Sequence, residues 1–212
     1  MIGTFSKSFV EENPLCVHLL GLCPVLAVSV RLIDAFAMGL TLLVILIITC
    51  TAMSALKTHI PSRFHVFICT VIAASCASCA ELLMRAYMPG LSDRLGVFVP
   101  LLTVNALLLD RALGFARMNT PGASFWDALG MGTSFLLALV GIALIREVLG
   151  SGTITLVPAG SFSGVIMIPG LSRSPIRLIS LPAGAFLIMG YLKAVFDITH
   201  PPVKTTRKET KP

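Results

Sequence analysis

The residues best suited to chemistry lie in Leu20-Gly-Leu-Cys-Pro-Val-Leu-Ala-Val28. Gly21 lets another backbone approach closely. Pro24 has no N–H to donate, so a helix through this stretch is expected to open just before it. Open backbone at membrane depth is tolerated only inside protein or along a cavity. Cys23 is therefore expected on an unwound turn, where its thiolate could ligate a metal, the cation offsetting the cost of burying negative charge. The same spacing also suits a Pro-kinked helix with a packing thiol.

Cys76 and Cys79 stand three apart and share one face of a helix. That spacing suits metal or redox work. In the run Ala73-Ala-Ser-Cys-Ala-Ser-Cys-Ala80 it also marks a small-residue helix interface. Glu81 is the one acid well inside an uninterrupted apolar span, a candidate for an ion path. It also stands four residues before Arg85, an ion-pair spacing. His18, one turn before the Gly-Leu-Cys-Pro break, suits either packing on a partner helix or a nitrogen ligand. Arg146-Glu147 reads as the interfacial end of a helix, and His59 and His65 as surface residues of a basic loop. The six cysteines all fall in apolar stretches and form no disulfide framework; Cys16, Cys50 and Cys69 read as packing. The chain carries no glycine-rich phosphate loop, nucleotide fingerprint, catalytic triad or zinc spacing.

The elements that must position these groups follow from composition. Of 212 residues, 56% are hydrophobic and 12% charged, against about 25% charged in soluble domains. That excludes a soluble globular enzyme and a disordered chain, and leaves length for about six spans of roughly 20 residues. The apolar segments run over 15–30, 35–56, 66–88, 96–109, 128–149 and 178–198. The first and fourth are short and contain Pro24 and Pro100, whereas the second, third and fifth are long and unbroken. Two interrupted segments in matching positions of two halves point to an internal repeat. Three spans in each half make that repeat inverted. The expected fold is an all-α integral membrane protein of six transmembrane helices in two inverted three-helix repeats, the first and fourth helices broken. Its parts are an N-terminal cytoplasmic segment 1–12, repeats over 13–94 and 95–199, and a basic disordered tail 200–212. The connection 150–177 holds two apolar runs too short to span.

The net charge of +6 sits in short loops and the tail, where it sets topology. Membrane lipid is the expected neighbour, and nucleic acid is not. With six spans, Lys7, Lys57, Arg63, Arg111, Arg117, Lys193 and the four cations of the tail share one side. Arg31, Arg85, Arg94, Arg146, Arg173 and Arg177 share the other. The excess places both termini in the cytoplasm. Residues 1–13 carry Lys7, Glu11 and Glu12 and predict no cleavable signal.

The stretch Leu19-Leu-Gly-Leu-Cys-Pro-Val-Leu-Ala-Val-Ser29 resembles the opening motif of the E subunit of the Rnf ion-translocating electron-transport complex. It is also similar to the D subunit of sodium-pumping NADH:quinone reductase. Further matches are Leu95-Gly-Val-Phe-Val-Pro-Leu-Leu-Thr-Val-Asn105, Arg111-Ala, Phe115-Ala, Arg146-Glu-Val-Leu-Gly-Ser-Gly-Thr153 and Leu181-Pro-Ala-Gly-Ala-Phe186, and the resemblance covers residues 8–198.

The resemblance implies two inverted three-helix repeats in a bacterial inner membrane and a homologous A-type partner of opposite orientation. It also implies a [2Fe–2S] cluster between the two subunits, each giving one Cys from its first broken helix and one from its fourth. Electrons would pass through that cluster, coupled to movement of Na+ or H+. Ferredoxin and NAD would bind only through other subunits of the complex (B, C, D and G). Cys23 matches the first ligand motif. At the second, Ala106 stands after Asn105 where the family has Cys, and Leu113 where it has Glu. Cys76, Cys79 and His18 are then the weak substitutes for the missing ligand. An electron-transfer subunit with no catalytic residue of its own is expected. The competing readings are the reductase subunit and a small inverted-repeat carrier without a redox role.

Overall fold

The computed structural model describes residues 21–57, 60–151, 153–159, 162–167 and 181–199. The N-terminal segment, His18, Cys16 and the basic tail lie outside the described residues. So does the start of the first apolar segment.

Two long helices form the centre. Helix α2 (Leu32–Leu56) follows a short helix α1 (Leu22–Val28). At 1.5 Å per residue its 25 residues exceed the ~30 Å hydrocarbon core. Its Phe36, Leu40, Val44 and Ile48 recur every fourth residue and are exposed, the stripe expected to face lipid. On the opposite face Met38, Leu42, Ile45, Leu46, Thr49 and Met53 are buried. Helix α3 (His65–Tyr87) buries only a narrow face of His65, Cys69, Ala73 and Ala77. His65 is thus a buried helix-starting residue and not the surface residue expected. Helix α4 (Pro89–Leu95) is a short return.

The fourth apolar segment is broken, as expected. It contains α5 (Phe98–Leu101), a 3₁₀ turn (Leu102–Val104), extended backbone at Asn105, α6 (Ala106–Asp110), a π-helical turn (Arg111–Phe115) and α7 (Ala116–Met118). The 31-residue α8 (Pro121–Ser151) begins on a proline, whose missing N–H is no loss in a first turn. After it come an antiparallel hairpin, β1 (Thr153–Ala159) with β2 (Phe162–Met167), and α9 (Pro182–Thr199). The hairpin accounts for the two short runs of the long connection.

Among the described residues, four stretches are long and apolar enough to cross a bilayer: Leu32–Leu56, His65–Tyr87, Phe98–Met118 and Pro121–Gly150. The chain is an integral membrane protein whose candidate spans are all helical. The core lies where α2 packs antiparallel on α8. Gly39 abuts Leu136 and Gly132 abuts Leu43. A Cβ on Gly39 would fall 3.2 Å from Leu136 Cγ, and one on Gly132 would fall 3.1 Å from Leu43 Cγ. Glycine at both points lets the backbones close, the usual device where lipid gives helices no hydrophobic drive to associate.

Candidate functional site

The two broken segments meet. Gly21 adopts φ +79°, the left-handed region that glycine enters without penalty. This turn aims the start of α1 at α8 and at Asn105. A Cβ on Gly21 would lie 2.7 Å from Phe135 Cε2 and 3.6 Å from Asn105 Oδ1. Among the described residues the turn falls at Gly21, and Cys23 stands in the first turn of α1 and not on the unwound turn expected. Pro24 sits in the first turn of α1, where a missing N–H opens nothing, so the proline starts this helix. Pro100 holds the equivalent place in α5.

Asn105 breaks the other segment. Its ψ of 128° ends the 3₁₀ turn, and its Oδ1 accepts the Leu107 N–H at 3.0 Å, capping α6. Its Nδ2 is buried and has no hydrogen-bond partner among the described residues. Between the segments lies a cavity of ≈ 310 Å3, walled by Leu22, Cys23, Phe98, Leu102, Asn105 and Ala106 among others. Cys23 and Ala106 are both exposed. The structure thus brings Cys23, Asn105 and Ala106 together across more than eighty residues of sequence.

Other predicted residues go elsewhere. Cys76 is half-buried and Cys79 exposed on α3, and neither lines this cavity. Among the described residues no group of three or more His, Cys, Asp or Glu is arranged to hold a metal ion. Glu81 accepts from Arg85 Nη2 at 2.6 Å, the i,i+4 pairing that the spacing allowed.

Sequence reasoning missed the buried charges. Arg146 and Glu147 are only 1% and 3% exposed, so they do not mark an interfacial helix end. Arg146 Nη1 donates to Ser29 Oγ at 2.6 Å and to the Leu26 carbonyl at 3.5 Å, and its Nη2 donates to the Leu181 carbonyl at 3.1 Å. Glu147 Oε2 accepts the Leu32 N–H at 2.7 Å. Asp34 stands 3.2 Å from Arg94, and Asp127 3.8 Å from Arg111. In a spanning helix such residues are costly unless paired. The sequence signals were their places inside or just beside apolar segments and, for Arg111, Arg146 and Glu147, their membership of the family motifs.

Comparison with known proteins agrees with this architecture. Residues 1–193 match the family described as Rnf-Nqr subunit, membrane protein. The chain belongs to the Rnf–Nqr membrane-subunit family. Among its relatives is an Acetobacterium woodii protein named as the E subunit of the Na(+)-translocating ferredoxin:NAD(+) oxidoreductase complex. The two are 41% identical over 187 residues, covering 88% of this chain and 91% of the relative. A Clostridium ljungdahlii protein, named as the E subunit of the proton-translocating complex, is 37% identical over 92% of this chain and 87% of its own length. One from Yersinia pestis, named as the E subunit of the ion-translocating oxidoreductase complex, is 36% identical over 95% of this chain and 88% of its own. Within the Rnf–Nqr family this chain therefore aligns with E subunits nearly end to end.

Proposed function

We propose that this chain is the E-type membrane subunit of an ion-translocating ferredoxin:NAD oxidoreductase complex in a bacterial inner membrane, with both termini cytoplasmic. Its work is to relay electrons at the cavity beside Cys23. The observation that carries this reading is the meeting of two broken segments at one cavity, with Cys23 on one wall and Asn105-Ala106 on the other. The names of the E-subunit relatives support it. Those names specify Na+ in one case and protons in another, so the coupling ion varies among relatives.

A [2Fe–2S] cluster shared with a homologous A-type subunit is the proposed cofactor; when bound, it would accept and give up single electrons within the membrane. Tested against that group, the described residues provide one thiol, Cys23, exposed on the cavity wall. Ala106 has no donor atom, and Cys76 and Cys79 do not line the cavity. The chain's described donors fall short of the two thiolates that the family resemblance leads one to expect. The reading is therefore a site completed mainly by the partner, with Cys23 as this chain's contribution. What the chain's own residues do is structural and electrostatic. Gly21 and Asn105 set the two walls, and Leu22, Phe98 and Leu102 give the space between them an apolar lining.

Six helices in inverted repeats belong to the same proposal. Gly39 and Gly132 are 93 residues apart, as are Leu43 and Leu136, and their contacts are reciprocal across an antiparallel pair. Asp34 and Asp127, each beside an arginine, share that offset. This is the relation a two-fold axis between α2 and α8 would produce. The remaining Rnf subunits (B, C, D and G) would supply the flavin, ferredoxin and NAD sites. Glu81, paired with Arg85 on α3, is the candidate for the ion path.

The test is Cys23→Ser in the intact complex. Loss of an intramembrane iron signal by electron paramagnetic resonance, with loss of electron transfer, is expected. Unchanged iron content and unchanged turnover would sink the cluster reading.

A further inference from the structure

The short helix α1 and the end of the fourth segment have the same weakness. Each is too short to hold itself together, and each ends with carbonyls to which no further helical turn donates. In both cases the missing donor is a cation from the other half of the chain. Arg146, near the end of α8, reaches back to the Leu26 carbonyl and to Ser29 Oγ at the end of α1. Lys57, immediately after α2, donates to the Asn119 carbonyl at 2.6 Å, just past α7. Ser54 Oγ donates to the same carbonyl at 2.7 Å, and Asn119 Nδ2 folds back on the Phe115 carbonyl at 3.0 Å.

The two clamped carbonyls, Leu26 and Asn119, are 93 residues apart, the offset that relates Gly39 to Gly132. The two carbonyls therefore sit at matching places about the α2–α8 contact, whereas the cations that reach them, Lys57 and Arg146, are 89 residues apart, about one helical turn off that offset. Glu147 adds a second link on the first side, accepting the Leu32 N–H at the start of α2, where a helix dipole favours negative charge. Consecutive residues of α8 thus close the end of one helix and the beginning of the next.

We propose that Arg146 and Lys57 are counterpart positioning residues, matched in the carbonyls they hold. Each fixes the broken segment of the opposite half, Arg146 the one bearing Cys23 and Lys57 the one bearing Asn105 and Ala106, and so holds the two walls of the cavity in register. This rests on the cavity being the working site, but not on the identity of any bound group.

The test is site-resolved alkylation of the assembled complex in native membranes after reduction and iron chelation, so that Cys23 is a free thiol in every variant, using a membrane-permeant maleimide and peptide mass spectrometry. Cys23 reports on α1, and Ala106→Cys, introduced as a probe, reports on the fourth segment. Cys79, exposed on α3, is the internal control. Arg146→Gln, which offers a neutral N–H donor but loses the cation, should raise the Cys23 rate about tenfold, the effect of losing the short charged hydrogen bond to Ser29 Oγ. Arg146→Lys keeps the charge but reaches fewer acceptors, so its rate should be intermediate. Lys57→Gln should raise the rate at the residue 106 probe and leave Cys23 unchanged. Equal Cys23 rates in the parent and both Arg146 variants, or a parallel rise at Cys79, overturn the proposal. Should Arg146→Gln not assemble, Arg146→Lys and Ser29→Ala decide it: a raised Cys23 rate supports the clamp, and an unchanged rate overturns it. An iron signal lost in Cys23→Ser but no change in alkylation in these variants would reject the clamp and keep the electron-relay reading. The reverse pattern would do the opposite.

Discussion

Gly21→Ala is the sharpest single perturbation of the cavity. Two costs arise from the structure. At φ +79° a side chain enters the left-handed region, which costs about 1–2 kcal/mol for an ordinary residue. The new methyl would also stand 2.7 Å from Phe135 Cε2, well inside the ~3.5–4.0 Å of a normal carbon contact. Phe135 is fully buried in the core and its ring is rigid, so the strain passes to its neighbours. Overpacking of this kind costs about 1–3 kcal/mol. Gly21→Ala should therefore destabilise the fold by about 2–5 kcal/mol. The two parts separate in a double-mutant cycle with Phe135→Leu. That change removes the ring edge, so the steric part should appear as a favourable coupling of about 1–3 kcal/mol, leaving the backbone part intact. The assay is denaturant unfolding of the purified complex in detergent, followed by loss of the chain from the assembly. A Gly21→Ala complex within about 0.5 kcal/mol of the parent, or a cycle with no coupling to Phe135, would refute this account of how α1 is seated.

Two further outcomes follow from the polar groups. Asn105→Ala removes the oxygen that caps Leu107 N–H and should cost about 1 kcal/mol; Asn105→Ser keeps an acceptor there and should cost less, as read by the same unfolding assay. Asp127→Leu takes a carboxylate from beside the buried Arg111 guanidinium and should cost about 3 kcal/mol, whereas adding Arg111→Met should recover most of it. A double variant no more stable than Asp127→Leu alone would show that this pair is not what holds the π-helical turn to α8.

Much of the architecture was legible along the chain because it depends on local properties. Runs of apolar residues over 35–56, 66–88 and 128–149 identify spanning helices, because each residue pays its own transfer cost. The Glu81–Arg85 pair was legible because an α-helix puts residues four apart side by side. Asn105, which breaks the fourth segment, and the Ala106 that follows it could be singled out by their match to a family motif. The role of Pro24 was not legible, because a proline breaks a helix only from its interior, and nothing local to the sequence showed that α1 begins at Leu22.

What the sequence by itself determined is a helical membrane protein with two interrupted segments and a thiol at one of them. Only the tertiary structure decided that those segments share a cavity, and that Gly21 meets Phe135 and Asn105 there. It alone turned Arg146 and Glu147 from an apparent interfacial pair into buried donor and acceptor for a chain turn more than a hundred residues away. The physical reason is that a charge near the end of an apolar helix reads the same whether it faces headgroups or the carbonyls of a distant turn. Which it meets is set by the close α2–α8 contact at Gly39 and Gly132, and that contact exists only once both helices are packed.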